Sequence, residues 1–306
     1  MMKYFRAFSM LLLVFCFSST LVGNESTTPY FPHKLGSFWV YEDNEGNEMT
    51  RYAAGKKEIE GVTYFSFNYE PKFENWTFSE YFVHPTLYHV GEEWIAILAN
   101  GEAEKVVQDM AMQRFREHVI SAAEQLTSNV EIQENGSDDQ PPADSNVSIS
   151  LKLNIDKVEG DEFLYVFPIS PTFNEEWTAI QLNAKVSLKY ELKGKPSELS
   201  KLGELPDTKF NFNLVEIGKV VGTETVETEA GTFEDCLKIK YHTKTTLAFS
   251  AAEEGGQNLI GDYITTLWLA PNVGIVKFSS GHEQSGKVKS MELTRYEIKT
   301  DNPINK

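Results

Sequence analysis

Residues 223–246 read TETVETEAGTFEDCLKIKYHTKTT, and residues 262–278 read DYITTLWLAPNVGIVKF. Each is a run of β-branched and aromatic residues broken once by a turn signal. In the first the break is at Gly231, which permits a positive-φ backbone ahead of Thr232 and Phe233. In the second, Pro271, Asn272 and Gly274 supply the bend between a strand carrying Trp268 and one over residues 275–278. Successive hairpins predict an antiparallel sheet. On this reading Gly231, Thr232, Phe233, Pro271 and Gly274 make the fold and do no chemistry.

The same pattern extends outward. Val147, Ile149, Leu151, Leu153 and Ile155 alternate with Ser148, Ser150, Lys152, Asn154 and Asp156. Ala184, Val186, Leu188, Tyr190 and Leu192 alternate with Lys185, Ser187, Lys189, Glu191 and Lys193. A two-residue period predicts antiparallel strands with one wet and one apolar face. Nearer the start, SFWVYE (37–42) and NEMTRYA (47–53) flank the polar turn Asp43–Gly46, a hairpin signal. VTYFSFNY (62–69) follows Gly61, and residues 76–83 and 94–98 are further strand candidates. A Trp also opens a strand in both 36–47 and 174–183, a faint echo between two halves of the chain.

One stretch breaks the period. Residues 102–128 lack Gly and Pro, and Val107, Met110, Ala111, Phe115, Val119, Ala122 and Leu126 recur every three or four positions. This spacing predicts a single long helix packed on the sheet. Residues 134–146, with NGSDDQPPADSN at their heart, predict a mobile loop separating two halves, and residues 194–207 a second loop.

The first 23 residues have a basic start (Lys3, Arg6), an apolar run from Ala7 to Val22, and small residues at its end. That is the grammar of a secretory signal peptide cut after Gly23, which leaves 24–306 as one β-rich domain that is periplasmic or extracellular. Cys16 invites lipidation, but Phe15 stands where a small residue is expected. Beyond the signal only Cys236 remains, so no intramolecular disulfide forms and stability must come from the core. A net charge of −17 repels phosphate backbones and anionic head groups, which argues against nucleic acid as a partner.

Candidate chemistry is sparse. Gly281–Lys287 has phosphate-loop spacing, but Val288 stands where a Ser or Thr would hold Mg²⁺, and a strand follows where a helix is needed. His84 and His89, five apart, would face opposite ways on a strand, and neither HExxH nor paired-ligand spacing occurs. Asp43–Glu48 is too short for an EF-hand loop, and GxSxG is absent. No cofactor, metal or catalytic residue is expected, although paired carboxylates leave a hydrolase as the least favoured alternative.

The opening Tyr30-Phe31-Pro32-His33-Lys34-Leu35-Gly36-Ser37-Phe38-Trp39-Val40-Tyr41 resembles the start of many uncharacterised secreted bacterial proteins. Their later Thr-Val-x-x-x-Ala-Gly-Thr-Phe and Trp-x-Ala-Pro-x-Val-Gly segments correspond to Thr225–Phe233 and Trp268–Gly274. The pattern is similar to domains of unknown function related to the LolA-like lipoprotein-carrier half-barrel. It implies a strongly curved antiparallel sheet with a concave apolar face and no catalytic residues. The expected function is an exported binding or carrier protein for a lipid or lipidated partner. Its pocket would be lined by Val147, Ile149, Leu151, Leu153, Ala184, Val186, Leu188 and Tyr190. The competing account is a structural or interaction module of the cell envelope, in which those side chains are ordinary core.

Overall fold

The computed structural model describes residues 29–70, 87–98, 107, 111, 130–134, 147–160, 163–194, 208–249, 259–282 and 288–299. They form β1 (Phe38–Asp43), β2 (Glu48–Ile59), β3 (Val62–Glu70), β4 (Leu87–Val90), β5 (Trp94–Leu98), β6 (Val130–Glu134) and β7 (Val147–Gly160). The chain continues with β8 (Phe163–Pro168), β9 (Glu176–Gly194), β10 (Thr208–Thr228), β11 (Gly231–Phe249), β12 (Leu259–Ala270), β13 (Gly274–His282) and β14 (Val288–Glu297). All belong to one sheet, in the order β6-β7-β9-β10-β11-β12-β13-β14-β1-β2-β3-β4-β5-β8. Neighbours are antiparallel throughout, except for the parallel pair β6–β7 at one edge. The sheet is not closed, since β6 and β8 end it unpaired with each other.

Two meanders, β9–β14 and β1–β5, are joined because the last strand pairs with the first, Phe38 opposite Glu297. The hairpins read from sequence are both present. β10 turns into β11 with Thr228 opposite Gly231 (φ 136°), and β12 turns into β13 with Ala270 opposite Gly274 (φ 89°). A Cβ at Gly274 would also lie 3.3 Å from Pro32, because the segment Tyr30–Pro32 lies against this turn. The Asn272 amide donates to the Pro29 carbonyl there. Past the Lys277–Glu292 pair the β13–β14 ladder ends, and side chains of β1 take over: Trp39 Nε1 donates to the Val273 carbonyl at 2.7 Å and Tyr41 Oη to that of Ile275 at 3.0 Å. The two ends that carry the sequence motifs therefore meet in space.

The two-residue period becomes one dry face. Ala184, Val186 and Leu188 on β9, Phe210, Phe212 and Leu214 on β10, and Ile239, Tyr241 and Leu247 on β11 are all buried, while Lys185, Lys189 and Lys244 are exposed. Full burial of one such aliphatic side chain contributes ~1.5–3 kcal/mol. The sheet bends until edge strand β8 reaches β9, where Trp177 Nε1 donates to the Val166 carbonyl at 2.6 Å. Gly218 makes that possible: a Cβ there would sit 2.4 Å from the Trp177 ring.

The one long helix expected over 102–128 is not among the described elements, and nearly all of that stretch lies outside the described residues. Every named element among the described residues is a strand, and all of them join one continuous sheet. Of that stretch only Val107 and Ala111 are described; both are helical in backbone and fully buried in the core. The signal segment, the strand expected at 76–83 and the loop beyond Glu134 lie outside the described residues.

Candidate functional site

An arginine occupies a core position. On β2 the inward residues are Met49, Arg51 and Ala53, and Arg51 is only 4% exposed. The register places Trp39 of β1 on one side of it and Tyr69 of β3 on the other. Its guanidinium carbon lies 3.8 Å from the Phe67 ring centre, 5.2 Å from Trp39, 5.3 Å from Tyr88 and 5.6 Å from Phe31. Burial pushes the Tyr41 hydroxyl up to about 12 and raises those of Tyr69 and Tyr88, so all three are neutral near pH 7. Tyr41 accepts a hydrogen bond from the guanidinium, whereas Nε and Nη2 have no acceptor among the described residues. No carboxylate pairs with Arg51 among the described residues. A cavity of about 20 Å³ opens beside it, walled by Phe31, Trp39, Tyr88, Phe167, Leu267 and Ile275.

A second polar group is buried in the β10–β13 face. Glu216 is 1% exposed and faces Thr243 across the β10–β11 ladder; Thr243 Oγ1 donates to Glu216 Oε2, and Oε1 has no partner among the described residues. Burial raises the carboxyl to about 7, against the opposing pull of the Thr243 hydrogen bond. Beyond it Thr265 and Ser280 bond each other at 3.2 Å, which extends a strip of inward polar side chains across four strands.

A third feature lies at the rim. A pocket of about 520 Å³ opens between the β4–β5 turn and the segment leading into β9. Glu92, Glu93, Trp94, Glu175, Glu176 and Trp177 line it, and its lining includes no lysine or arginine. Trp94 is exposed and Trp177 mostly buried. Glu176 is tied to Lys219 at 3.1 Å on the adjoining strand.

The residues singled out from sequence fall in two groups. Leu153, Ala184, Val186 and Leu188 are buried in the core, while Val147, Ile149, Leu151 and Tyr190 are placed on β7 and β9 as backbone only. Gly231, Thr232, Phe233, Pro271 and Gly274 make the two hairpins. Cys236 is fully buried, its Sγ donating to the Phe233 carbonyl, and burial pushes the thiol to about 11. His242 meets Asp262 at 2.7 Å on the wet face. Among the described residues no cluster of three or more His, Cys, Asp or Glu could hold a metal ion. Sequence reasoning passed over Arg51, Glu216 and the rim pocket. The signal for the first two was present: a charge at an inward position of an alternating strand.

Residues 185–293 match the DUF3108-like family, a span that runs from β9 into β14 and includes both hairpin motifs. No curated protein matches the chain. Two solved structures are similar: a protein inferred to be exported, with a YmcC-like fold, from Bacteroides fragilis, and a protein inferred to be a lipoprotein from Parabacteroides distasonis. The first is 14% identical with a TM-score of 0.39, covering 89% of this chain and 100% of that one. The second is 14% identical with a TM-score of 0.37, covering 88% and 99%.

Proposed function

We propose that this chain is an exported, non-catalytic binding protein whose ligand seats in the rim pocket. The observation that carries the reading is that pocket: its volume of about 520 Å³ lies within the ~300–1,000 Å³ typical of small-molecule sites. Two indoles and four carboxylates, of which Glu176 is already paired with Lys219, suit an organic cation, whose apolar body stacks on a ring while its charge meets the remaining acids. Export rests on the three-part N-terminal segment, residues 1–23.

The kinship to a carrier half-barrel belongs to this proposal too. It is supported by a bent sheet with two unjoined edges and by hairpin motifs inside the matched segment. A lipid or lipidated partner would need room on the inner face. The described members of the apolar stripe are covered there by the protein's own side chains, an observation that favours the second reading, an envelope interaction module without a small ligand.

Native mass spectrometry of protein purified from its own envelope fraction separates the readings. A bound mass lost on denaturation, with Trp fluorescence quenched by tetramethylammonium or short Lys/Arg peptides and the response abolished in Trp94→Ala, supports the rim site. Uptake of a fluorescent fatty acyl probe instead points to the carrier form. A ligand-free mass with neither response removes both and leaves the module.

A further inference from the structure

We propose that the cavity beside Arg51 is a binding site for one small monovalent anion of halide size. The argument starts from charge. A lone guanidinium taken out of water costs several kcal/mol unless an anion or a full set of acceptors replaces the lost hydration. Here the aromatic faces of Phe67, Trp39, Tyr88 and Phe31 return part of that cost through the ring quadrupoles. Tyr41 supplies one acceptor. Neither supplies negative charge, because the surrounding hydroxyls stay protonated near neutrality. Two donors, Nε and Nη2, are left without an acceptor among the described residues.

Size then selects the ligand. A cavity of about 20 Å³ admits one water-sized species, because roughly 10–15 Å³ is the threshold for one. Phosphate, sulfate and a carboxylate with its carbon body are larger than this. A halide fits and can accept from both free N–H groups at once. Apart from Arg51 the lining carries no charged side chain, so no acidic group in it opposes the anion. The rim pocket and this cavity share no lining residue, so either can fail without the other.

The test uses the full chain by scanning calorimetry at fixed ionic strength, with gluconate exchanged stepwise for chloride. The expected result is a saturable rise in melting temperature, about 5 °C once chloride exceeds its Kd a hundredfold. In Arg51→Met, which keeps the volume and removes the charge, that rise is lost while the protein remains folded. Bromide diffraction on the unmutated protein supplies a second readout, an anomalous peak within hydrogen-bonding reach of the guanidinium. Equal melting temperatures in the two salts, a chloride response that survives Arg51→Met, or no bromide peak at Arg51 each overturns the proposal.

Discussion

Glu216 makes the stability of this protein fall as pH rises through neutrality. Its carboxyl sits at about 7 in the folded chain, against an ordinary value near 4.5. The folded state therefore holds a proton that the unfolded state releases between those two values. With more protons bound when folded, unfolding becomes easier with rising pH across that window. The contribution is greatest below pH 4.5, declines as pH rises through 7, and is gone about one unit above it. The whole shift amounts to roughly 3 kcal/mol, at about 1.4 kcal/mol for each pH unit, and most of it falls between pH 5 and 8. An acidic chain has many other titrations, so the useful measurement is a difference. Urea unfolding of the unmutated protein and of Glu216→Gln at pH 5, 6, 7 and 8 isolates one group. The stability of the variant relative to the parent should climb by roughly 2–3 kcal/mol from pH 5 to pH 8. A difference that stays constant across that range would refute the buried, proton-holding carboxyl.

Gly218→Ala places a methyl 2.4–2.8 Å from three atoms of the Trp177 ring and should cost ~1–3 kcal/mol. The same substitution should cost less in a Trp177→Phe background, which lacks those atoms, and equal costs in both backgrounds would contradict the packing account. Trp39→Phe removes the donor to the Val273 carbonyl and leaves that group buried without it; urea titration should show a loss of ~1–3 kcal/mol, and a loss below ~0.5 kcal/mol would mean the bond matters little.

The sheet was legible because its signals are local and repeated. Alternation over 184–192 fixes which side of β9 is dry, and Gly231 and Gly274 fix where the chain reverses. Helix-period spacing over residues 102–128 speaks for a segment in isolation, and of that stretch only Val107 and Ala111 are described, both helical in backbone and buried, whereas the described elements are ladders between distant segments. The parallel pairing of β6 with β7 was equally hidden, since five residues of strand carry no mark of their partner's direction. The joining of β14 to β1 was unreadable for the same reason, although its consequence, Trp39 and Tyr41 reaching the β13 carbonyls, uses residues the motif had already marked.

Arg51 and Glu216 show where alternation carries more than fold. An inward charge on a half-buried strand costs stability at every pH at which it stays ionised, and the protein meets that cost in two different ways. Glu216 can shed its charge, because a carboxyl raised to about 7 is largely protonated just below neutrality, and Thr243 donates to one of its oxygens. Arg51 has no such route, because a guanidinium stays charged at any physiological pH. Its charge must be met by something placed near it, and four aromatic faces are what the fold places there. The acid can therefore be explained within the chain, as a titrating group whose cost varies with pH. The base is not closed by the described protein groups, since two of its donors face no acceptor among them. This asymmetry is why the arginine, and not the carboxylate, marks a place for something from outside the chain.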